Sequence, residues 1–289
     1  MLPCPPPDFA PRAPSLKLPP LACDCHAHVF GPAARYPFAA ERRYTPPDCL
    51  YADFRRMLGA LGVERAVIVQ PSVYGTDNAA TLAALRADPQ RLRGVAVVPP
   101  DADCAVLEPL HAAGVRGVRI NIADSGNARG ALPLAELRAL AQRIRALRWH
   151  MEFLLHADEY PDLDRQLAGF PVPVVFGHIG YLTQGKGPDD PGFRALLALV
   201  RAGRAWVKLS GPYRLSSGAL PYADVTPFAH ALLEANPGRV VWGTDWPHVM
   251  LRGRMPNDGE LADLLSDWIP DEALRRRVLA ENPAELYDF

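Results

Sequence analysis

The sequence has no long apolar run, no excess of one charge and no regular cysteine spacing, and each absence argues against a class of protein. Its 31 Lys and Arg residues nearly balance 32 Asp and Glu residues, so no overall field attracts nucleic acid or a membrane surface. Without an apolar run we expect neither a signal peptide nor a membrane span. The five cysteines show no CxxC spacing, and we interpret them as free thiols in a reducing compartment. These absences favour a cytoplasmic protein.

Residues 1–20 are rich in proline and show no helical or strand pattern. We predict an extended N-terminal arm over residues 1–20 and a single domain over residues 21–289. The pattern slightly favours an arm that hangs free over one that packs on its own domain or on a neighbouring copy.

The remaining chain repeats one unit, a short apolar run followed by a turn and an amphipathic helical pattern. Runs that are apolar on both faces are typical of parallel strands covered by helices. The predicted strands are 21–25, 66–70, 94–98, 115–120, 151–155, 172–176, 206–209 and 240–242. Apolar residues at steps of three and four predict helices over 47–61, 78–87, 106–113, 134–147, 162–168, 192–202, 227–235 and 271–280. Eight such units favour an α/β fold that closes as a (β/α)8 TIM barrel, with an open doubly wound sheet as the alternative.

Active sites of such barrels lie at the C-terminal ends of the strands, so polar residues there are candidates for chemistry. His26 and His28 follow the first strand on one face and suit a metal ion or a polarised carbonyl. His178 lies between two glycines after the sixth strand, where the backbone can turn tightly beside a ligand. Asp245 follows the eighth strand and could act as a general base on water. The alternative for His26 and His28 is that they are ordinary loop histidines. His178 could instead be a core histidine whose hydrogen bonds are satisfied, and Asp245 could be the N-cap of a helix.

With their flanking segments, these residues resemble the amidohydrolase superfamily of the amidohydrolase-2 type. Within it the chain is similar to the branch of lactonases and 2-pyrone-4,6-dicarboxylate hydrolases. The segments that carry the resemblance are 24–32, 42–46, 69–78, 116–119, 221–224 and 242–248. The resemblance implies a carboxylic-ester hydrolase in which His26, His28 and His178 polarise a lactone carbonyl. It also implies that Asp245 activates water and that imidazole groups replace a metal as the electrophile.

Two arginines predict an anionic substrate. Arg119 ends the fourth strand and Arg214 follows the seventh, so both should lie at the mouth of the barrel. A guanidinium group pairs with a carboxylate in a bidentate way, although a structural ion pair is the alternative for each arginine. The resemblance likewise implies a small anionic lactone held by arginines. Further substrate contacts are predicted from Ser72, Tyr74, Tyr44 and His248.

Two departures from the pyrone hydrolases leave the exact lactone open. Those enzymes have a second basic residue directly after the fourth strand, whereas this chain reads Asn-Ile-Ala-Asp-Ser over 121–125. They also have a tyrosine within the fifth strand, where Leu154 stands here. Both differences remove groups that would hold a dicarboxylate.

One histidine keeps a metal-dependent alternative open. His156 ends the predicted fifth strand, where metal-dependent members of the superfamily often place a ligand. His26, His28, His156 and Asp245 would make a mononuclear site for zinc or manganese. A sister branch decarboxylates aromatic or muconate-type acids on such a frame, and a barrel that only binds a ligand is a third possibility. The closer resemblance favours a lactone hydrolase without a cofactor, acting as a monomer or homodimer.

Overall fold

The computed structural model describes residues 2–123, 130–251 and 253–289. Asp124 and Ser125, in the segment that lacks the second basic residue, therefore lie outside the described residues.

Eight parallel strands pair in chain order into one sheet. They are β1 (Cys23–Ala27), β2 (Arg65–Val69), β3 (Leu92–Ala96), β4 (Val115–Asn121), β5 (His150–Leu154), β6 (Val174–Phe176), β7 (Ala205–Leu209) and β8 (Val240–Trp242). Every residue of β1, β6, β7 and β8 is buried, as expected for strands that helices cover from outside and that pack on each other inside. The predicted (β/α)8 barrel is confirmed.

The first strand begins two residues later than predicted. Leu21 adopts a left-handed φ of 61°, so the extended conformation cannot start there. As a consequence His26 lies inside β1 and His28 follows its end.

The barrel closes between β1 and the residues that follow β8. Ala27 bridges Trp246, the amide of Asp245 donates to the carbonyl of His26 at 2.8 Å, and the amide of His28 donates to the carbonyl of Trp246 at 2.8 Å. These backbone hydrogen bonds fix the two histidines relative to Asp245.

Helices cover the outside of the sheet. They are α1 (Tyr51–Leu61), α2 (Ala79–Ala87), α3 (Cys104–Ala112), α4 (Leu134–Arg145), α5 (Leu163–Gln166), α6 (Pro191–Arg201), α7 (Thr226–Ala235), α8 (Asp258–Asp263), α9 (Leu265–Trp268), α10 (Glu272–Arg276) and α11 (Asn282–Tyr287). The predicted helices include none of α8, α9 and α11, although Asn257 and Glu260 form a capping box that signals the start of α8. In the described part of the chain, no helix has the length and apolar character that crossing a bilayer requires.

The N-terminal arm packs on the barrel, so the interpretation of a free arm is wrong. Leu2–Pro3 pairs in parallel with Tyr44–Thr45. Further along, the amide of Arg12 donates to Asn257 Oδ1 at 3.1 Å, and the amide of Ser15 donates to Asp263 Oδ1 at 2.6 Å. The partners of Arg12 and Ser15 lie on α8 and its N-cap, a helix that the sequence did not reveal. The boundary between arm and barrel at residue 20 stays a prediction.

Candidate active site

A cavity at the C-terminal ends of the strands gathers most of the residues that the sequence singles out. It is lined by His28, Tyr44, Ser72, Arg119, Leu154, His178, Tyr181, Arg214, Val249 and Met250. These residues come from the ends of several strands and the loops after them, as is usual for a barrel of this kind.

Asp245 is fully buried beside this cavity. Its Oδ2 accepts hydrogen bonds from the hydroxyl of Tyr213 and from Nε of Arg214, both at 2.7 Å. Its Oδ1 has no hydrogen-bond partner among the described residues and lies 3.7 Å from Nε2 of His26. Burial raises the pKa of Asp245, but Arg214 and the nearby histidines outweigh burial and hold that pKa well below its ordinary value. Asp245 is therefore a carboxylate with one oxygen free to accept a proton.

His28 presents a lone pair rather than an N–H group. Its Nδ1 lies 2.7 Å from the carbonyl oxygen of Val69. A carbonyl only accepts, so Nδ1 carries the hydrogen and Nε2 is left as an acceptor. Burial, helped by Arg119, lowers the pKa of His28 to about 4. Neutral His28 cannot donate to a carbonyl from Nε2, and this differs from the role that the resemblance implies.

His178 is held by the residues that follow β7. Its Nδ1 lies 3.1 Å from the hydroxyl oxygen of Ser210, which also accepts from the His178 amide at 3.3 Å. Gly211, with φ of 57°, comes next. A Cβ at Gly211 would lie 3.0 Å from both Nδ1 of His178 and Oδ2 of Asp245. Glycine is therefore required where the chain passes between these two side chains.

His26 contacts a buried ion pair that the sequence analysis missed. Nζ of Lys208 lies 2.6 Å from Glu152 Oε2, and the two side chains are 0% and 2% exposed. Nδ1 of His26 lies 3.3 Å from both Lys208 Nζ and Glu152 Oε1. Burial and the adjacent Lys208 hold the pKa of His26 well below its ordinary value. A lysine in the middle of the otherwise apolar strand β7 was the available signal.

The two arginines have different surroundings. Arg119 is 8% exposed and donates from Nη1 to the carbonyl of Gln70 at 2.9 Å. Arg214 donates from Nε to Asp245 and from Nη2 to the carbonyl of Val249 at 3.2 Å. The structural ion pair considered for both arginines thus applies to Arg214, whereas Arg119 pairs with no carboxylate among the described residues.

Two residues predicted to contact substrate lie outside the cavity lining. The hydroxyl of Tyr74 accepts from the amide of Gly31 at 2.8 Å. His248 is fully buried, with Nδ1 at 2.9 Å from the hydroxyl of Tyr213 and Nε2 at 3.2 Å from Asp258 Oδ1. Both side chains support the wall of the site instead of facing a ligand. Tyr44 and Ser72, by contrast, line the cavity, and their contact with a substrate stays a prediction.

The predicted four-residue metal site is not assembled. Nδ1 of His156 lies 2.6 Å from the carbonyl of Tyr181, and its ring stacks on that tyrosine. Among the described residues, the potential ligand atoms that lie within 4.8 Å of one another belong to His26, His28 and Asp245. The inclusion of His156 is therefore wrong. The charges also fit a cation poorly, because Arg214 already neutralises Asp245 and the ammonium group of Lys208 lies directly behind His26.

The low pKa values of the buried histidines predict that the protein loses stability in mild acid. Burial lowers the pKa of His28 to about 4 and that of His178 to about 3, whereas the ordinary value is 6.5. Below pH 6.5 the unfolded chain therefore binds protons that the folded protein does not, so the free energy of unfolding falls as pH falls to 4 and lower. Urea denaturation across this window measures the fall.

A His28→Asn variant is the control for this pH dependence and should show a shallower fall. A free energy of unfolding that stays constant across the window would contradict the buried, neutral state of these histidines.

Comparison with known proteins gives consistent matches over nearly the whole chain. A family model described as Amidohydrolase matches residues 23–289. The 2-pyrone-4,6-dicarboxylate hydrolase of Comamonas testosteroni is 40% identical over 286 residues, covering 96% of this chain and 93% of that protein. The 4-sulfomuconolactone hydrolase of Hydrogenophaga intermedia is 37% identical over 272 residues, covering 93% of this chain and 89% of that protein. A crystal structure of a probable 2-pyrone-4,6-dicarboxylic acid hydrolase from Acinetobacter baumannii, with citric acid bound, matches with a TM-score of 0.82 at 29% identity. The match covers 93% of this chain and 100% of that chain.

Proposed function

The protein belongs to the amidohydrolase family, and we propose that it is a hydrolase that opens the ring ester of a small anionic lactone or pyrone. The observation that carries this proposal is the ionised Asp245, whose free Oδ1 lies beside a cavity that also contains the guanidinium group of Arg119. The relatives support it, since one is named for a pyrone dicarboxylate, one for a sulfonated lactone, and a third holds citric acid.

We assign the attacking water to two acceptors. Oδ1 of Asp245 and Nε2 of His28 can each accept one hydrogen of a water molecule, which orients its lone pair toward the lactone carbonyl. Asp245 takes the proton as the water attacks, and returns it to the ring oxygen when the ester bond breaks. His28 thus orients the water, in place of the carbonyl-polarising role that the resemblance implies.

We assign the carbonyl donors to His178 and His26. The hydroxyl of Ser210 accepts from the His178 amide, so its own hydrogen is free to bond to Nδ1. That hydrogen bond leaves Nε2 of His178 as the N–H group. Donors placed at the developing oxyanion in a site shielded from water are each worth about 3 kcal/mol of transition-state stabilisation.

We assign substrate anchoring to Arg119, with the hydroxyls of Tyr44 and Ser72 as further partners. Arg119 lies in the lining, and its hydrogen bond to Gln70 within the described ranges uses Nη1 alone. A carboxylate or sulfonate on the lactone ring would pair with it. Arg214 then holds Asp245 in place and in its ionised form.

We propose that this reaction needs no divalent metal. The support is electrostatic, since a cation among His26, His28 and Asp245 would lie beside the charges of Lys208 and Arg214. We also propose that the protein acts in the cytoplasm as a monomer or homodimer. The free state of its five cysteines fits a reducing compartment.

A substrate screen in oxygen-18-labelled water tests the proposed function. The substrates are lactones and pyrones that carry a carboxylate, a sulfonate or no charge, with aromatic carboxylic acids added to detect decarboxylation. We expect the anionic lactones to be opened with kcat/KM about 10- to 100-fold above that of neutral ones, and each product to contain one labelled oxygen. Release of carbon dioxide from the acids, or rearrangement of a lactone without label, would overturn the proposal.

A further inference from the structure

The ion pair of Lys208 and Glu152 lies inside the barrel and outside the cavity lining. Placing two charges in a protein interior is strongly unfavourable before their attraction offsets it, and an apolar pair of the same size is often no less stable. The pair contacts one group of the proposed chemistry, Nδ1 of His26. We therefore expect the ion pair to act on His26.

The two partners make opposite demands on Nδ1 of His26. An ammonium group only donates, so a hydrogen bond from Lys208 requires a lone pair on Nδ1 and places the ring hydrogen on Nε2. A carboxylate only accepts, so a hydrogen bond to Glu152 requires the hydrogen on Nδ1 and leaves a lone pair on Nε2. Because both atoms lie 3.3 Å from Nδ1, distance alone does not select the tautomer.

The opposite side of the ring favours the tautomer that Lys208 requires. Nε2 of His26 lies 3.7 Å from Oδ1 of Asp245, an oxygen without a partner among the described residues. A hydrogen on Nε2 is attracted by this carboxylate, whereas a lone pair would be repelled by it. With the hydrogen on Nε2, Nδ1 accepts from Lys208, and Glu152 neutralises the ammonium group. Both ring nitrogens are then favourably placed.

We propose that Lys208, held by Glu152, is a positioning residue that fixes His26 as the Nε2–H tautomer. In this tautomer, Nε2 of His26 is a hydrogen-bond donor toward a substrate carbonyl. It lacks the lone pair with which His26 would bind a divalent metal. The catalytic part of this inference rests on the proposed function, but the tautomer and the exclusion of metal do not. One ion pair thereby decides whether the frame of His26, His28 and Asp245 can hold a metal.

Two variants test the inference without measuring turnover. In Lys208→Met, Nδ1 loses its donor and faces the carboxylate of Glu152, so Nδ1 carries a hydrogen instead of a lone pair. In the double variant Lys208→Met with Glu152→Gln, the side-chain amide can donate to Nδ1 and restore the original tautomer. The double variant also buries no charge at this place, so it stays informative if the single variant folds poorly.

The readouts are nitrogen-15 NMR of the imidazole, assigned by comparison with His26→Gln, and zinc binding followed by calorimetry. We expect a lone pair on Nδ1 in the wild type and in the double variant, and a hydrogen on Nδ1 in Lys208→Met. Zinc should bind to Lys208→Met on the order of 10- to 100-fold more tightly than to the other two. An Nδ1–H tautomer in the wild type would overturn the inference, and so would a single variant that matches the wild type in both readouts. If the Nε2–H form is found but no lactone is opened, the inference stands and the proposed function fails.

Discussion

Replacement of Asp245 by asparagine should lower kcat by about 10^2- to 10^4-fold, the loss expected when a general base is removed. The amide oxygen of asparagine can still accept from Tyr213 and Arg214, so the site should keep its shape. The amide nitrogen that replaces Oδ1 cannot take a proton from water. Steady-state hydrolysis of an anionic lactone measures the effect.

The same substitution should lower stability, because it leaves the guanidinium group of Arg214, whose side chain is 13% exposed, without its counter-charge. Breaking a buried pair costs about 3–5 kcal/mol, so kcat must be compared well below the melting temperature of the variant. Glu285→Gln is a matched control, since Glu285 pairs with Arg239 at 2.9 Å and neither residue lies in the cavity lining. The control should keep the wild-type kcat. A kcat of Asp245→Asn close to that of the wild type would show that another group removes the proton.

Replacement of Arg119 by methionine should raise KM for carboxylated lactones by about 10- to 100-fold, the loss expected for a charge-assisted hydrogen bond. Methionine keeps much of the length of the side chain and removes the guanidinium group. The hydrogen bond to the carbonyl of Gln70 is also lost, but this affects neutral and anionic substrates alike. The quantity to measure is therefore the ratio of KM values for an anionic lactone and its neutral ester.

Arg119→Lys serves as the conservative control for this experiment. It keeps the positive charge but not the bidentate geometry, so its KM for anionic lactones should fall between those of the wild type and the methionine variant. Equal changes in KM for neutral and anionic lactones would contradict a direct pairing between Arg119 and the substrate anion.

The barrel and its principal residues could be predicted because their signals are local. Apolar runs followed by helical patterns located the eight strands within a few residues. The rule that barrel sites form at the C-terminal ends of strands then selected His26, His28, His178 and Asp245 from the sequence. Each of these residues is buried at or beside the site in the structure.

The finer features depend on contacts between distant segments, which no local pattern encodes. The tautomer of His28 is set by the carbonyl of Val69 on the neighbouring strand β2. The pairing of Lys208 with Glu152 crosses the barrel interior between β7 and β5. His248 follows the site segment in sequence, but its left-handed φ of 60° accompanies a turn into the wall, where it contacts Tyr213.

The arm illustrates the same difficulty at the level of a whole segment. Several of its contacts are hydrogen bonds from backbone amides to acidic and amide side chains, such as those from Ser15 to Asp263 and from Arg12 to Asn257. Such contacts need no periodic apolar face on the arm, so a proline-rich sequence gives no sign of them.

The most direct test of metal-independent hydrolysis is kcat/KM for a carboxylated lactone before and after removal of divalent metals. The enzyme is treated with a chelator, its metal content is measured, and the assay is repeated with zinc or manganese added back. The arrangement of Asp245, His28, His178 and His26 predicts the same kcat/KM in all three states. Loss of activity on chelation, restored by one equivalent of either metal, would contradict it.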